Sequence, residues 1–167
     1  MKNSIYIFIL LFFVSCGYQP TAHVAKSVLG EKVSTDVVVS LTDPENTVIM
    51  KDALSRAVIT NFRASLVDKE VADSHLLISL KDVLYTPLRY DKQGFIVTYR
   101  VTVFVDILRN SVRGKNIGIK NYSAKGYYDF SIEPNAVVTD KLRYDAIKEG
   151  ATKALQSYVA QVSSEGI

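Results

Sequence analysis

Residues 95–107 are the segment that most constrains the fold of this chain. Their odd-numbered positions are all apolar or aromatic, whereas the even-numbered ones include Thr98, Arg100, Thr102 and Asp106. A period of two predicts a β-strand with one buried face and one more polar face. At about 3.3 Å per residue, such a strand is roughly 40 Å long. We therefore expect a long sheet whose apolar face is covered by a second layer.

Three further segments alternate in the same way and predict strands: residues 32–41, about 75–86 and about 117–130. Proline cannot donate to a sheet ladder, so we expect Pro87 to end or kink the second of these strands. Residues 89–94 follow it and have the composition of a turn, in which Gly94 is free to adopt a positive φ.

Two other segments carry apolar residues at the spacing of three or four that is typical of a helix. The first starts either at Thr42-Asp43-Pro44, where Asp can cap and Pro suits the first turn, or only near Lys51. It ends near residues 66–68. The second is capped by Thr139 or Asp140 and continues to about residue 163.

The resulting order, β-α-β-β-β-α, predicts one α+β domain over residues 32–163. Consecutive strands with short connections are antiparallel neighbours. We therefore expect a two-layer sandwich, with two helices packed on one face of a mostly antiparallel four-stranded sheet. Gly150 lies inside the last helix at a cost of about 1 kcal/mol relative to alanine, which predicts a close contact between helix and sheet.

The N-terminus predicts export. Lys2 precedes an apolar run of about 10 residues, whereas a membrane span needs about 20, so residues 1–15 have the pattern of a signal peptide. Cys16, the only cysteine, excludes an internal disulfide. The segment resembles a bacterial lipoprotein signal, which implies that Cys16 is lipidated; the alternative is a free thiol. Residues 16–31 would then be the lipidated N-terminus and a tether.

Several function classes find no support in the sequence. The net charge is only +3 and no basic run suggests a nucleic-acid partner. His23 and His75 are the only histidines, and neither has neighbours at metal-ligand spacing. No G-x-S-x-G, P-loop or dinucleotide motif occurs. We therefore expect a protein that is not an enzyme and that uses no metal and no cofactor.

The even-numbered side chains of the strands predict a polar sheet face opposite the helices. One interpretation is an ordinary solvated face, which antiparallel sheets commonly have. The other is a binding face for a polar wall such as the interior of an outer-membrane β-barrel. The candidate barrel contacts are Thr98, Arg100, Thr102, Asn121, Ser123 and Lys125.

Basic side chains near the strand ends suggest a second kind of site. Arg89 and Lys92 should lie at one end of the central hairpin, and Arg113 and Lys115 at the other. Either pair could hold phosphates by charge-assisted hydrogen bonds, but the two pairs cannot form one patch. The alternative for these cations, and for Arg109 nearby, is simple solvation.

The chain resembles the LPS-assembly lipoprotein (LptE) family. The matching residues are Cys16-Gly17-Tyr18, Leu54-Ser55-Arg56-Ala57-Val58, Tyr99-Arg100-Val101-Thr102-Val103, and Ser123-Ala124-Lys125 followed by Tyr127, Tyr128 and Phe130. The final helix, with Ala146 and residues 151–155, also fits. The resemblance extends over nearly the whole mature chain.

This resemblance implies a non-catalytic plug and assembly partner of the β-barrel translocon for lipopolysaccharide (LPS). The implied partners are an LptD-like barrel subunit, LPS itself and the membrane, through the N-terminal lipid. The candidates for the LPS contact are the cation pairs named above, Arg89 with Lys92 or Arg113 with Lys115. Gly17 after the cysteine, by resemblance to sorting in enteric bacteria, implies the periplasmic side of the outer membrane. The alternatives are an auxiliary lipoprotein of an ABC-type lipid transport system and a lipoprotein hydrolase.

Overall fold

The computed structural model of the 167-residue chain describes residues 28–38, 44–61, 64–113 and 117–165. The predicted signal peptide, Cys16, most of the predicted tether and Lys115 lie outside the described residues. Within the described ranges, no helix is both long enough and apolar enough to cross a membrane.

The described elements form a two-layer α+β fold, which confirms the predicted fold class. In chain order they are β1 (Lys32–Val38), α1 (Pro44–Asn61), β2 (Ser65–Leu66), a 3-10 turn (Lys69–Val71), β3 (Ser74–Tyr90), β4 (Ile96–Ser111), β5 (Gly118–Ser131) and α2 (Asp140–Glu165). The sheet has the order β2-β1-β3-β4-β5. β1 runs parallel to both β2 and β3, while β3, β4 and β5 are antiparallel.

The long alternating segment forms β4, which lies between β3 and β5 and has one buried face, as expected. Val101, Val103, Val105 and Ile107 of β4 are buried, and the residues between them are only partly buried. Both helices lie on this apolar face, and α1, α2 and the sheet enclose a single core. None of the described helices lies on the other face of the sheet.

Pro87 does not end its strand, because β3 continues to Tyr90. β1 accompanies β3 only from Ser74 to Ser79, so no described strand lies beside Pro87 on that side. At such an edge the missing N–H group costs no ladder hydrogen bond. The register against β4 nevertheless shifts between Pro87 and Arg89.

The first helix begins at Pro44, the earlier of the two expected starts. The expectation that it ends near residues 66–68 is wrong, because Ser65 and Leu66 form β2. The Ser65 amide donates to the Glu31 carbonyl (2.8 Å) and the Val67 amide to the Val33 carbonyl (3.1 Å). Backbone pairing with β1 therefore decides the conformation here over the local helical pattern.

Two glycines allow α2 to pack closely on the sheet. A Cβ atom on Gly150 would lie 2.8 Å from Val103 Cγ2, and one on Gly126 of β5 would lie 2.2 Å from both Ala154 N and Gly150 O. The predicted helix–sheet contact at Gly150 is thus confirmed. Its counterpart in the sheet, Gly126, has no sequence signal of its own. The start of α2 is also as expected, since Thr139 Oγ1 accepts a hydrogen bond from the Leu142 amide (3.3 Å).

Candidate functional site

All six residues predicted to contact a barrel lie on the face of the sheet that no described helix covers, which we call the open face. The three on β4 alternate with buried residues of the core, and the three on β5 sit opposite their open-face neighbours. The β4–β5 register places Arg100 opposite Asp129, Thr102 opposite Tyr127 and Thr98 opposite Ser131. The two strands therefore bring the predicted set together on one surface.

Most charges on the open face are paired within the molecule. Arg100 forms two hydrogen bonds with Asp129, at 2.7 and 2.8 Å, and its guanidinium lies 4.4 Å from the centre of the Tyr127 ring. These hydrogen bonds hold the pKa of the Asp129 carboxyl below its usual range. The open face consequently offers hydrogen-bonding groups and little net charge.

A shallow depression of about 420 Å³ lies on the open face. Asp106 lies beside it, accepting a hydrogen bond from Ser123 (2.6 Å) and pairing with Lys81 at 3.7 Å. Leu77 and Leu108 supply apolar contact area, and Asn121 adds an amide. The depression thus combines polar groups with aliphatic patches.

The β3–β4 turn carries the first predicted pair of cations, Arg89 and Lys92. Both are exposed, and neither forms an ion pair within the described ranges. The turn is closed by Asp91 Oδ1, which accepts from the amides of Gln93 (2.9 Å) and Phe95 (2.8 Å). As expected, Gly94 has a positive φ, 88°. Leu88, Tyr90 and Phe95 are exposed beside these cations, so the tip is both cationic and apolar.

The second pair is divided, because Arg113 is described and Lys115 is not. Arg113 lies 3.4 Å from Asp73. Asp73 also accepts hydrogen bonds from the backbone amides of Glu31 and Lys32, each at 3.0 Å. These backbone bonds, together with Arg113, hold the pKa of Asp73 below its usual range. Arg113 therefore belongs to a network that fixes the start of β1, at the opposite end of the hairpin from Arg89, as predicted.

The expectation of a solvated Arg109 is wrong. Its side chain is fully buried, and Nη1 lies 3.3 Å from Glu165 near the end of α2. Glu165 also accepts from the Tyr122 hydroxyl (2.8 Å) and pairs with Lys120 at 3.2 Å. Burial raises the pKa of Glu165, but these hydrogen bonds lower it more, so the net shift is downward. Position 109 continues the series of buried odd-numbered residues in β4. This alternation is the sequence feature from which the burial of Arg109 could have been predicted.

His75 is held in a strand-to-strand network that its isolation in the sequence does not reveal. Its Nδ1 lies 2.6 Å from Ser34 Oγ, and its Nε2 lies 3.6 Å from Asp36 of β1. Serine, histidine and aspartate are the residue types of a Ser–His–Asp catalytic triad. Ser34 is only 4% exposed, however, so its hydroxyl is not open to a substrate. The contacts join β1 to β3. Burial and the nearby Lys69 lower the pKa of His75 and outweigh the opposing effect of Asp36.

Within the described ranges, no group of three or more His, Cys, Asp or Glu residues is placed to hold a metal ion.

A scan of family models finds none that matches this chain, and a search of curated proteins also finds no match. The fold nevertheless occurs in solved structures. A candidate lipoprotein from Caulobacter crescentus aligns with a TM-score of 0.50 and 12% identity over 88% of this chain and 95% of its own. A hypothetical protein from Chlamydia trachomatis gives a TM-score of 0.50 and 8% identity over 81% and 97%. Rare lipoprotein B from Shewanella oneidensis gives 0.47 and 14% over 81% and 99%. The chain therefore shares its fold with a bacterial protein described as a candidate lipoprotein.

Proposed function

We propose that this protein is a non-catalytic, lipid-anchored lipoprotein of the outer membrane that acts as plug and assembly partner of a β-barrel LPS translocon. The observation that carries the proposal is the open face, a broad polar sheet surface that the described helices leave uncovered. The lipoprotein-like signal around Cys16 and a fold shared with a candidate lipoprotein support the anchor.

The open face suits the inner wall of a barrel for a physical reason. Such walls are polar and lined by alternate residues of each strand. Docking against them removes water from charged groups, which costs free energy unless those groups are already paired. Arg100 and Asp129, and Lys81 and Asp106, form their pairs within this molecule. The neutral side chains Thr98, Thr102 and Asn121 then remain to bond the partner.

A lipid anchor strengthens this kind of interface. Acylation at Cys16 would hold the domain at the membrane that contains the barrel. A tethered second contact benefits from a high effective concentration and does not need high intrinsic affinity. Several acyl chains on one residue contribute about 0.8 kcal/mol per buried CH₂ group, which makes such an anchor stable.

For LPS itself, we assign the contact to Arg89 and Lys92 at the β3–β4 tip. Their charges are not used in ion pairs within the described chain, whereas Arg113 is engaged by Asp73. Phosphates of LPS would accept charge-assisted hydrogen bonds from the two cations. Exposed Leu88 and Phe95 are placed to contact its acyl chains.

Copurification tests the barrel partnership. The lipidated full chain, extracted in mild detergent, should retain a large β-barrel protein of the outer membrane. A Thr102→Arg/Asn121→Arg variant should lose it, because two new charges would be buried at the interface. The matched control, Val48→Arg on the exposed side of α1, should retain it. A soluble, unlipidated chain without a barrel would refute the proposal, and fractionation with the inner membrane would favour the ABC-transport alternative.

Charge reversal tests the LPS contact. Arg89→Glu/Lys92→Glu should weaken binding of LPS to the purified protein at least tenfold, whereas Arg113→Glu/Lys115→Glu should change it less than threefold. Circular dichroism spectra of both variants would show whether they remain folded. Unchanged binding in the first variant removes the tip from the proposal.

A further inference from the structure

Two of the three long strands of this sheet, β3 and β5, have a free edge, and these edges differ in how they are protected. On its β1 side, β3 has no described strand neighbour beyond Ser79. Along that stretch it carries Pro87 and register shifts after Leu80, after Pro87 and after Arg89. Prolines and bulges of this kind prevent another strand from pairing with an edge.

β5 lacks these protections. It pairs with β4 residue by residue from Gly118 to Ser131 without any register shift, and it contains no proline. In the described sheet it is the terminal strand, so its outer side has no strand neighbour. A regular strand of 14 residues presents a row of backbone donors and acceptors to which another strand can add.

The side chains of β5 indicate what that other strand is. On the open face, Lys125 lies two residues before Tyr127 and Asp129 lies two residues after it. If two copies of β5 run antiparallel about Tyr127, each Lys125 faces the Asp129 of the other copy. Ser123 then faces Ser131, and Asn121 faces Glu133. Cross-strand pairs of opposite charge stabilise a sheet, and like charges opposite each other destabilise it.

The Ser123 carbonyl of β5 already accepts a hydrogen bond from the Gln161 side chain of α2 (3.3 Å), which a second strand would have to replace. The charged side chains required for this pairing are available. Lys125 and Glu133 are exposed and form no ion pair within the described ranges. Asp129 uses one lone pair of each oxygen for Arg100 and can accept further hydrogen bonds. Lys153 Nζ of α2 lies 5.6 Å from the ring centres of both Tyr127 and Tyr128. The two copies of Lys153 would therefore approach the same axis, and their repulsion opposes the attraction between Lys125 and Asp129.

We propose that two copies of this protein pair antiparallel through their β5 edges, with Tyr127 on the twofold axis. The pairing is isologous, since each copy uses the same surface, and it joins the two five-stranded sheets into one continuous sheet of ten strands. The inference uses only the fold and the charges of β5, and it stands independently of the function proposed above.

Introduced cysteines test the pairing and its register together. Cys16 is the only native cysteine, so the lipidated full chain extracted in detergent provides a background in which that thiol would be acylated. Tyr127→Cys should give a disulfide-linked dimer under mild oxidation, because the two Cα atoms would be about 5 Å apart. Ser131→Cys should stay monomeric, since its two copies would be roughly 26 Å apart. Mixing Ser123→Cys with Ser131→Cys should restore the cross-link.

A charge variant tests the chemistry of the same interface. In the Tyr127→Cys background, Lys125→Glu should lower the dimer yield at least threefold, because glutamate would face Asp129. Lys51→Glu makes the same change of charge at an exposed position on α1 and should leave the yield unchanged. A monomeric Tyr127→Cys variant, equal yields at positions 127 and 131, or a cross-link to a different protein would each overturn the proposal.

Discussion

Replacing Gly126 by alanine tests the close packing of α2 on the sheet. The added Cβ would lie 2.2 Å from Ala154 N and Gly150 O and 2.6 Å from Lys153 C, whereas ordinary contacts begin near 3.4 Å. All three atoms belong to the helix backbone, so no side-chain rotation can relieve the clash. The helix must move away from β5 by about 1 Å, a gap that forfeits a quarter to a half of each contact energy across it.

The contacts at risk include those of Ala151, Ala154 and Tyr158, which are fully buried. Overpacking of a core typically lowers the free energy of unfolding by about 1–3 kcal/mol. Because the obstacle here is rigid backbone, we expect Gly126→Ala to lower it by about 3 kcal/mol or more. That is a large part of the 5–15 kcal/mol by which a typical domain is stable.

Urea denaturation followed by far-ultraviolet circular dichroism measures this loss. Gly150→Ala is the matched control, because the one atom that its Cβ would approach more closely than 3.4 Å belongs to a side chain, Val103 Cγ2 at 2.8 Å, and not to a helix backbone. Alanine also gains about 1 kcal/mol of helix propensity there, so this variant should be destabilised far less. A free energy of unfolding for Gly126→Ala within about 0.5 kcal/mol of the parent value would refute the packing argument.

Three other variants test the partly buried His75 and the fully buried Arg109. His75 has a lowered pKa in the folded protein, so the unfolded chain takes up its proton first as the pH falls, and stability should decline below pH 6.5. His75→Gln should flatten the decline between pH 6.5 and 5 in urea titrations; an unchanged slope would contradict the assignment. Arg109 leaves Nε and Nη2 without a hydrogen-bond partner in the described chain. The free energy of unfolding of Arg109→Met should therefore differ from that of the parent by no more than about 1 kcal/mol. Arg109→Ala opens a cavity and should lower the free energy of unfolding by about 3 kcal/mol. Equal losses in both would show that the charge itself stabilises the fold.

The sequence predicts the architecture well where a single period dominates. The alternation through Val101 and Val103 predicts the strand β4, its buried face and its open face. The same pattern predicts that position 109 is buried, but an arginine there suggests solvent, and only the tertiary partners Glu165 and Tyr122 make its burial possible.

Other features depend on contacts between distant parts of the chain. β2 exists because Ser65 and Val67 bond to the backbone of the β1 region. Gly126 is needed because a helix formed about 25 residues later crosses it. The open-face set could be assigned from strand alternation, whereas the distinction between Arg89 and Arg113 requires knowing that Asp73 lies beside the latter.

Photo-cross-linking in living cells tests the proposed plug most directly. A photoreactive amino acid at Thr98 or Asn121 should cross-link this protein to one large β-barrel protein of the outer membrane. The same amino acid at Val48, which is 70% exposed on α1, serves as a reference for surface that lies off the open face. We expect a strong barrel adduct from the two open-face positions and a much weaker one from Val48. No barrel adduct from Thr98 and Asn121, or equal adducts from all three positions, would contradict docking through the open face.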